Sequence, residues 1–151
     1  MRRGAGAFGL AAMLVLPAAA QGPVAGKAME HGAVPEAAPL ATSRPADPAN
    51  GRKIVVERRR GFCLLCHSGP FPEARFHGDL APSLAGAGSR WTEGQLRARL
   101  IDSTAINAET IMPPYFRTGG GNRIGPVFIG KPILTAEEIE DVTAFLTTLR
   151  D

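Results

Sequence analysis

Cys63, Cys66 and His67 are the residues of this chain whose types and spacing point most directly to chemistry. They stand in the run Cys63-Leu64-Leu65-Cys66-His67, two thiols three positions apart with an imidazole directly after the second. On one helical turn such thiols reach the same edge of a flat ligand. A porphyrin presents two vinyl groups there, and addition of one thiol to each leaves two thioethers. The imidazole that follows projects under the iron as the proximal ligand. The pentapeptide is the attachment pattern of c-type heme. A thioredoxin-like dithiol would need a preceding strand in a βαβ setting, and the residues before Cys63 read as helical. A structural zinc site needs four ligands, and beyond these three only His31 and His77 remain among the histidines and cysteines. A plain disulfide between Cys63 and Cys66 would leave the histidine of the five-residue pattern unexplained.

An iron bound through His67 has one position left. A methionine or second histidine there makes an electron carrier, and an open position invites ligand chemistry. Outside the first twenty residues the chain has two methionines, Met29 and Met112. Met29 lies in a stretch without periodicity. Met112 is followed by Pro113 and Pro114, which restrict the backbone and let a loop hold a thioether in place. Met112 is therefore the expected axial partner of His67, with His77 as the alternative. A ligand histidine usually donates its other N–H to a carbonyl, and Pro82 in Ala81-Pro82-Ser83-Leu84-Ala85-Gly86 offers one. Leu84 could then face the porphyrin, and Trp91 could donate to a propionate.

Three helices must position these groups. Asp47-Pro48 is a helix start, with Asp as N-cap and Pro first in the helix. Ile54, Val55 and Val56 supply an apolar face, Arg58-Arg59-Arg60 suits a last turn, and Gly61 suits a stop. The first helix is expected over 48–60. Thr92 and Gln95 form a capping box opening a second helix that ends near Asp102. Thr135 and Glu138 form another, followed by Ile139, Val142, Phe145, Leu146 and Leu149 at helical spacing, for a last helix over 136–149. Segments 68–90 and 105–134, rich in Gly and Pro, read as loops. The expected fold is all-α, three main helices with long loops around one heme.

With 151 residues the chain holds one domain plus extras. Met1-Arg2-Arg3, the apolar run Gly4 to Leu16 and Pro17-Ala18-Ala19-Ala20 read as a signal peptide over 1–20, which predicts export to the periplasm. An uncleaved N-terminal anchor is the alternative, but the apolar run is short for one. Residues 21–46, rich in Ala, Pro and Gly, read as a flexible leader, and 47–151 as the heme domain. The formal charge of +3 says little about partners. Of 17 Lys and Arg, Arg2 and Arg3 belong to the signal, leaving 15 against 14 acids. That is no nucleic-acid footprint. Both cysteines sit in the heme pattern, and an oxidising compartment suits their use there.

From Asp47 to Asp151 the sequence resembles class I cytochromes c. A helix precedes the attachment pattern, a Pro-x-Leu-x-Gly loop from Pro82 to Gly86 follows it, Met112 lies in a late loop, and a helix closes the chain. The resemblance implies that Gly51 of the first helix packs on Phe145 of the last, although the interval from Gly51 to Cys63 is longer than the family's.

Over nearly the whole domain the sequence resembles the SoxX family of sulfur-oxidation cytochromes. The segments that carry this are Phe76 to Leu84, Ile111-Met112-Pro113-Pro114-Tyr115, Asn122-Arg123 and Gly130 to Ala136 leading into Glu137-Glu138-Ile139. The resemblance implies a covalent heme c on Cys63 and Cys66 with His67 and Met112 as axial ligands. It also implies a place in a periplasmic SoxAX complex, an enzyme of L-cysteine S-thiosulfotransferase type that couples thiosulfate to a cysteine of a SoxY carrier. The SoxA partner would hold the catalytic heme. This chain would be the non-catalytic electron-transfer subunit, passing electrons to a small cytochrome c. The residues agree on one point: once Cys63 and Cys66 are thioethers, no cysteine remains for a thiolate-ligated heme. A free monomeric cytochrome c shuttle is the alternative, and a ligand sensor or peroxidase with an open iron is a third reading.

Replacing both Cys63 and Cys66 by Ala is expected to abolish heme that survives denaturation, read as loss of heme stain on a denaturing gel. Heme retained there would refute the assignment of the two thiols.

Overall fold

The computed structural model describes residues 34–119 and 125–150, together with Met1. The chain divides into two units, Met1–His31 and Gly32–Asp151, and the second holds the helices and the Cys63–His67 segment. The signal segment, Met29, His31 and Asn122-Arg123 lie outside the described residues. Among the described residues no helix is long and apolar enough to cross a membrane.

Four helices form, α1 Pro48–Val56, α2 Ala87–Arg90, α3 Glu93–Asp102 and α4 Ala136–Thr148, and no strand forms among the described residues. The all-α expectation holds. The Asp47 carboxylate accepts from Ala49 N at 2.8 Å and caps α1. Both capping boxes are made. Thr92 Oγ1 accepts from Gln95 N while Gln95 Oε1 accepts from Thr92 N. Thr135 Oγ1 accepts from Glu138 N while Glu138 Oε2 accepts from Thr135 N.

The first helix is shorter than the expected 48–60. It stops at Val56, where Glu57 turns extended, and the N–H groups of Arg60 and Gly61 both donate to Glu57 O in a turn. Three successive β-branched residues, Ile54, Val55 and Val56, are poor helix formers at that end. Two arginines find partners off the helix: Arg58 donates to Phe76 O, and Arg60 pairs with Glu138 of α4. The turn absorbs the residues that lengthen the interval from Gly51 to Cys63.

α1 and α4 cross where Gly51 meets Asp141 and Phe145. A Cβ on Gly51 would lie 2.0 Å from Asp141 O and 2.8 Å from Phe145 Cβ, so only a bare Cα fits. α4 buries Ile139, Val142, Phe145 and Leu146 in a core shared with Val55, Leu64, Phe71 and Leu134. α2 is an element the sequence did not announce. It enters through Gly86 at φ 67°, and Gly88 N donates to Leu149 O at 2.9 Å.

The packed unit begins upstream of Asp47. Residues 34–46, assigned from sequence to a flexible leader, form a strap tied to α3 and α4. Val34 is buried. Ala37 N donates to Gly94 O at 3.1 Å, Arg97 Nη1 donates to Ala37 O at 3.0 Å, and Leu40 N donates to Glu140 Oε1 at 2.9 Å. Leu40 packs against the core, and buried charges add to the hold. Arg97, 3% exposed, pairs with Glu140 through Nε at 2.8 Å; its Nη1 is left for Ala37 O, and the same Glu140 Oε1 also accepts from Leu40 N. Arg44 pairs with Asp141, whose buried carboxylate also accepts from Asp47 N at 2.6 Å and Asn50 Nδ2 at 2.7 Å. Buried charges need such complete partnering.

Burial alone would raise the Asp141 pKa, but Arg44, the Asp47 N–H and Asn50 outweigh it and hold the carboxyl below its ordinary 3.8. A group depressed in the folded state stabilises above its unfolded pKa and loses that contribution as pH falls through the folded value. The Asp141→Asn variant of the heme-loaded protein is therefore expected to unfold at lower urea near neutrality. It should also lose part of the wild-type stability decline below pH 3.8. Urea titrations at descending pH check both, and an unchanged acid slope would refute the assignment.

Candidate heme-binding site

The attachment segment is a tight turn. Phe62 enters it at φ 58°, the single left-handed non-glycine residue among those described. Cys63–Leu65 form one turn of 3-10 helix, and His67 N donates to Cys63 O at 2.9 Å. Leu64 goes into the core at 1% exposure, while Leu65 faces outward at 41%. The two thiols are not joined to each other and are both half-buried. Burial pushes the Cys63 thiol up to about 11, so it stays protonated at neutral pH. A protonated thiol is a poor redox nucleophile, which sets Cys63 apart from the attacking cysteine of a thioredoxin-type dithiol.

His67 Nδ1 lies 2.7 Å from Pro82 O, the partner expected from sequence. That carbonyl can only accept, so Nδ1 is the donor, which in the neutral ring leaves the lone pair on Nε2 for a metal. The loop that supplies Pro82 is fastened alongside. Ala81 N donates to Cys66 O at 3.0 Å and Leu84 N to Ser68 O at 2.8 Å. Gly78 N donates to Leu64 O at 2.9 Å, and a Cβ on Gly78 would stand 2.2 Å from Leu65 O. Leu84 is half-buried at the edge of the core.

The other candidates fall on different segments. His77 belongs to the loop that folds back on the attachment turn, and its Nδ1 accepts from Gly69 N at 3.3 Å. Met112 comes from beyond α3 and is half-buried against the core. Its carbonyl accepts from Ser103 Oγ at 2.6 Å, and its N–H donates to Thr110 Oγ1 at 3.2 Å. After Pro113 and Pro114, Tyr115 N donates to Leu100 O at 3.0 Å and Tyr115 O accepts from Leu134 N at 3.0 Å. The peptide groups around Met112 are thus held before and after the prolines.

Two features escaped the sequence reading. The buried Tyr115 hydroxyl donates to Gly61 O at 2.7 Å and joins the Met112 loop to the attachment turn. Arg99 stacks its guanidinium 3.7 Å from the centre of the Trp91 ring, a cation–π contact. Trp91 lies just before the N-cap of α3 and Arg99 within it, so no helical spacing marked their contact, and nothing local marked the first.

The donor set fits a covalent heme. It offers two unpaired thiols on one turn, an imidazole with its far nitrogen tied to a carbonyl, and a thioether on a separately held loop. Fold and site together define a class I cytochrome c-like domain. Residues 48–150 match the cytochrome c family, and the chain belongs to that family. Its cofactor is heme c, covalently bound. Among solved structures the chain is similar to one described as the crystal structure of SoxXA from P. pantotrophus. The two share 40% sequence identity with a TM-score of 0.68, over 76% of this chain and 88% of that one. The sulfur-oxidation resemblance read from the motifs is thereby met in a solved fold. No curated protein matches the chain.

Proposed function

We propose that this chain is the SoxX-type electron-transfer subunit of a periplasmic SoxAX-type complex, one that couples thiosulfate to a cysteine of a SoxY-type carrier. The observation that carries this reading is the 40% identity to SoxXA over most of both chains. The chain's own chemistry supports the division of labour. It has two cysteines, both in the attachment turn, so substrate chemistry at a thiolate belongs to a SoxA-type partner. Residues 1–20 act as the export signal, and a small cytochrome c takes the electrons.

In this reading Cys63 and Cys66 would hold the heme as thioethers, and His67 and Met112 would bind its iron. Heme supplies the one-electron chemistry. Pro82 orients the His67 ring by accepting from Nδ1 and so turns Nε2 toward the iron, and Ser103 and Thr110 fix the Met112 backbone. His77 Nδ1 accepts from Gly69 N, so the neutral ring carries its proton on Nε2 and has no lone pair left for iron, which favours Met112 over His77.

Met112→Ala is expected to remove the weak far-red thioether-to-iron band, move the spectrum toward high spin and lower the midpoint potential, since methionine ligation raises it. His77→Ala should leave the low-spin spectrum intact. The opposite pattern would exchange the two assignments.

The functional reading is tested by steady-state turnover with thiosulfate, a carrier thiol and an electron acceptor. Each chain is assayed alone and then with its partner. This chain alone should cycle between redox states without coupling turnover. With a SoxA-type partner it should form a stable heterodimer burying at least about 1,000 Å². Full turnover by the partner alone, or no association at micromolar concentration, would leave the free-shuttle reading in its place.

A further inference from the structure

The Tyr115 hydroxyl is placed where a core tyrosine has no local need to put it. Its ring is 3% exposed and belongs to the core cluster. Its hydroxyl reaches back 54 positions along the chain to donate to Gly61 O at 2.7 Å. Gly61 is itself confined: a Cβ there would meet Ile54 O at 2.5 Å and Cys63 Sγ at 3.1 Å. The next residue, Phe62, holds the left-handed φ that turns the chain into Cys63, a conformation kept only where its surroundings enforce it. The thiol of Cys63 also donates to Gly61 O, at 3.3 Å. A thioether has no S–H, so after heme attachment that bond is gone. The Tyr115 hydroxyl then remains on Gly61 O.

Three residues before Tyr115 stands Met112, with only the stiff Pro113 and Pro114 between them. A displacement at either end is therefore passed to the other. We propose that Tyr115 is a positioning residue that sets the reach of the Met112 thioether to the iron, by locking the Met112 loop to the Gly61–Phe62 lead-in of the attachment turn. The proposal rests on Met112 being the axial ligand. It assigns Tyr115 no contact with the heme itself.

The consequence is a ligation equilibrium. Without the hydroxyl, Gly61 O is a buried acceptor lacking its donor, and the closed arrangement loses about tenfold in population against the open one. Added imidazole competes with Met112 for the iron, so its apparent affinity reports that population directly. Tyr115→Phe keeps the ring in the core. In the heme-loaded protein it is expected to bind imidazole about tenfold more tightly and to show a lower midpoint potential. Tyr115 is also the chain's one tyrosine, so biosynthetic incorporation of fluorotyrosine alters this hydroxyl alone. Fluorine makes the phenol a stronger donor, and imidazole should then bind more weakly than to the unmodified protein. A merely structural tyrosine would change the unfolding midpoint and leave imidazole affinity and potential where they were.

Met112→Ala, measured in parallel, separates the two levels of the argument. If Met112→Ala binds imidazole far more tightly while Tyr115→Phe matches the wild type, the axial reading stands and the positioning role is overturned. If Met112→Ala binds imidazole no more tightly than the wild type, the axial reading fails and the positioning role fails with it. Should Tyr115→Phe not load heme, the fluorotyrosine protein decides: unchanged or tighter imidazole binding overturns the proposal.

Discussion

The close approach of α1 to α4 at Gly51 is the constraint on which the other elements depend. At 2.0 Å from Asp141 O there is no room for a Cβ, so the two helix backbones touch. That contact fixes α1, and α1 fixes the origin of the turn that leads to Cys63. It also fixes which face of α4 is left over. Glu140 and Asp141 sit next to each other at this crossing, and their buried carboxylates hold the strap, α3 and the N-terminus of α1. Burying two carboxylates side by side is costly unless every oxygen is matched. Here Arg97, Arg44, Asn50 and two backbone N–H groups supply the matches.

A second economy is visible around the attachment turn. Few residues there lie in regular structure, yet the backbone groups find partners in neighbouring loops. Cys66 O, Leu64 O and Ser68 O each accept from a residue of the 78–84 loop. These bonds hold the loop against the turn much as a strand would hold its neighbour, and the bridge between His67 and Ala81 is the trace of it. A ligand histidine benefits from such fastening. Its ring orientation is set by Pro82, and Pro82 is set by the bonds on either side of it.

How much of this the sequence disclosed follows the range of the interaction. The capping boxes at Thr92 and Thr135 span three residues and were legible in full. So was the attachment pattern, because thiol and imidazole spacing is a local matter. The Pro82 carbonyl was reachable by asking what a ligand histidine needs. The crossing at Gly51 came only through resemblance, since a lone glycine in a helix has no pattern of its own. The strap was misread because its partners, Asp141 and Glu140, lie 97 and 100 positions away from Arg44 and Leu40, and a Pro- and Ala-rich segment held by such distant bonds shows no periodicity. The early end of α1 was missed for a related reason. Three arginines look like a helix end, but two of them are drawn to Phe76 O and Glu138.

An electron carrier works best when oxidation and reduction leave the surroundings of its iron unchanged, since each rearrangement adds to the barrier. With His67 and Met112 as the proposed iron ligands, the arrangement here meets that demand from both sides. On one side, the imidazole is held by a carbonyl that is itself fastened at Ala81 and Leu84. On the other, the Met112 loop is held by Ser103, Thr110 and the backbone of α3. The hydrogen bonds of this scaffold go to stiffening the two loops that carry the proposed ligands. The same economy explains why a chain with both cysteines committed to one cofactor suits work beside a second protein. Its contribution is a fixed, reversible one-electron site, and the bond-making chemistry can be left to a surface that has a thiol to offer.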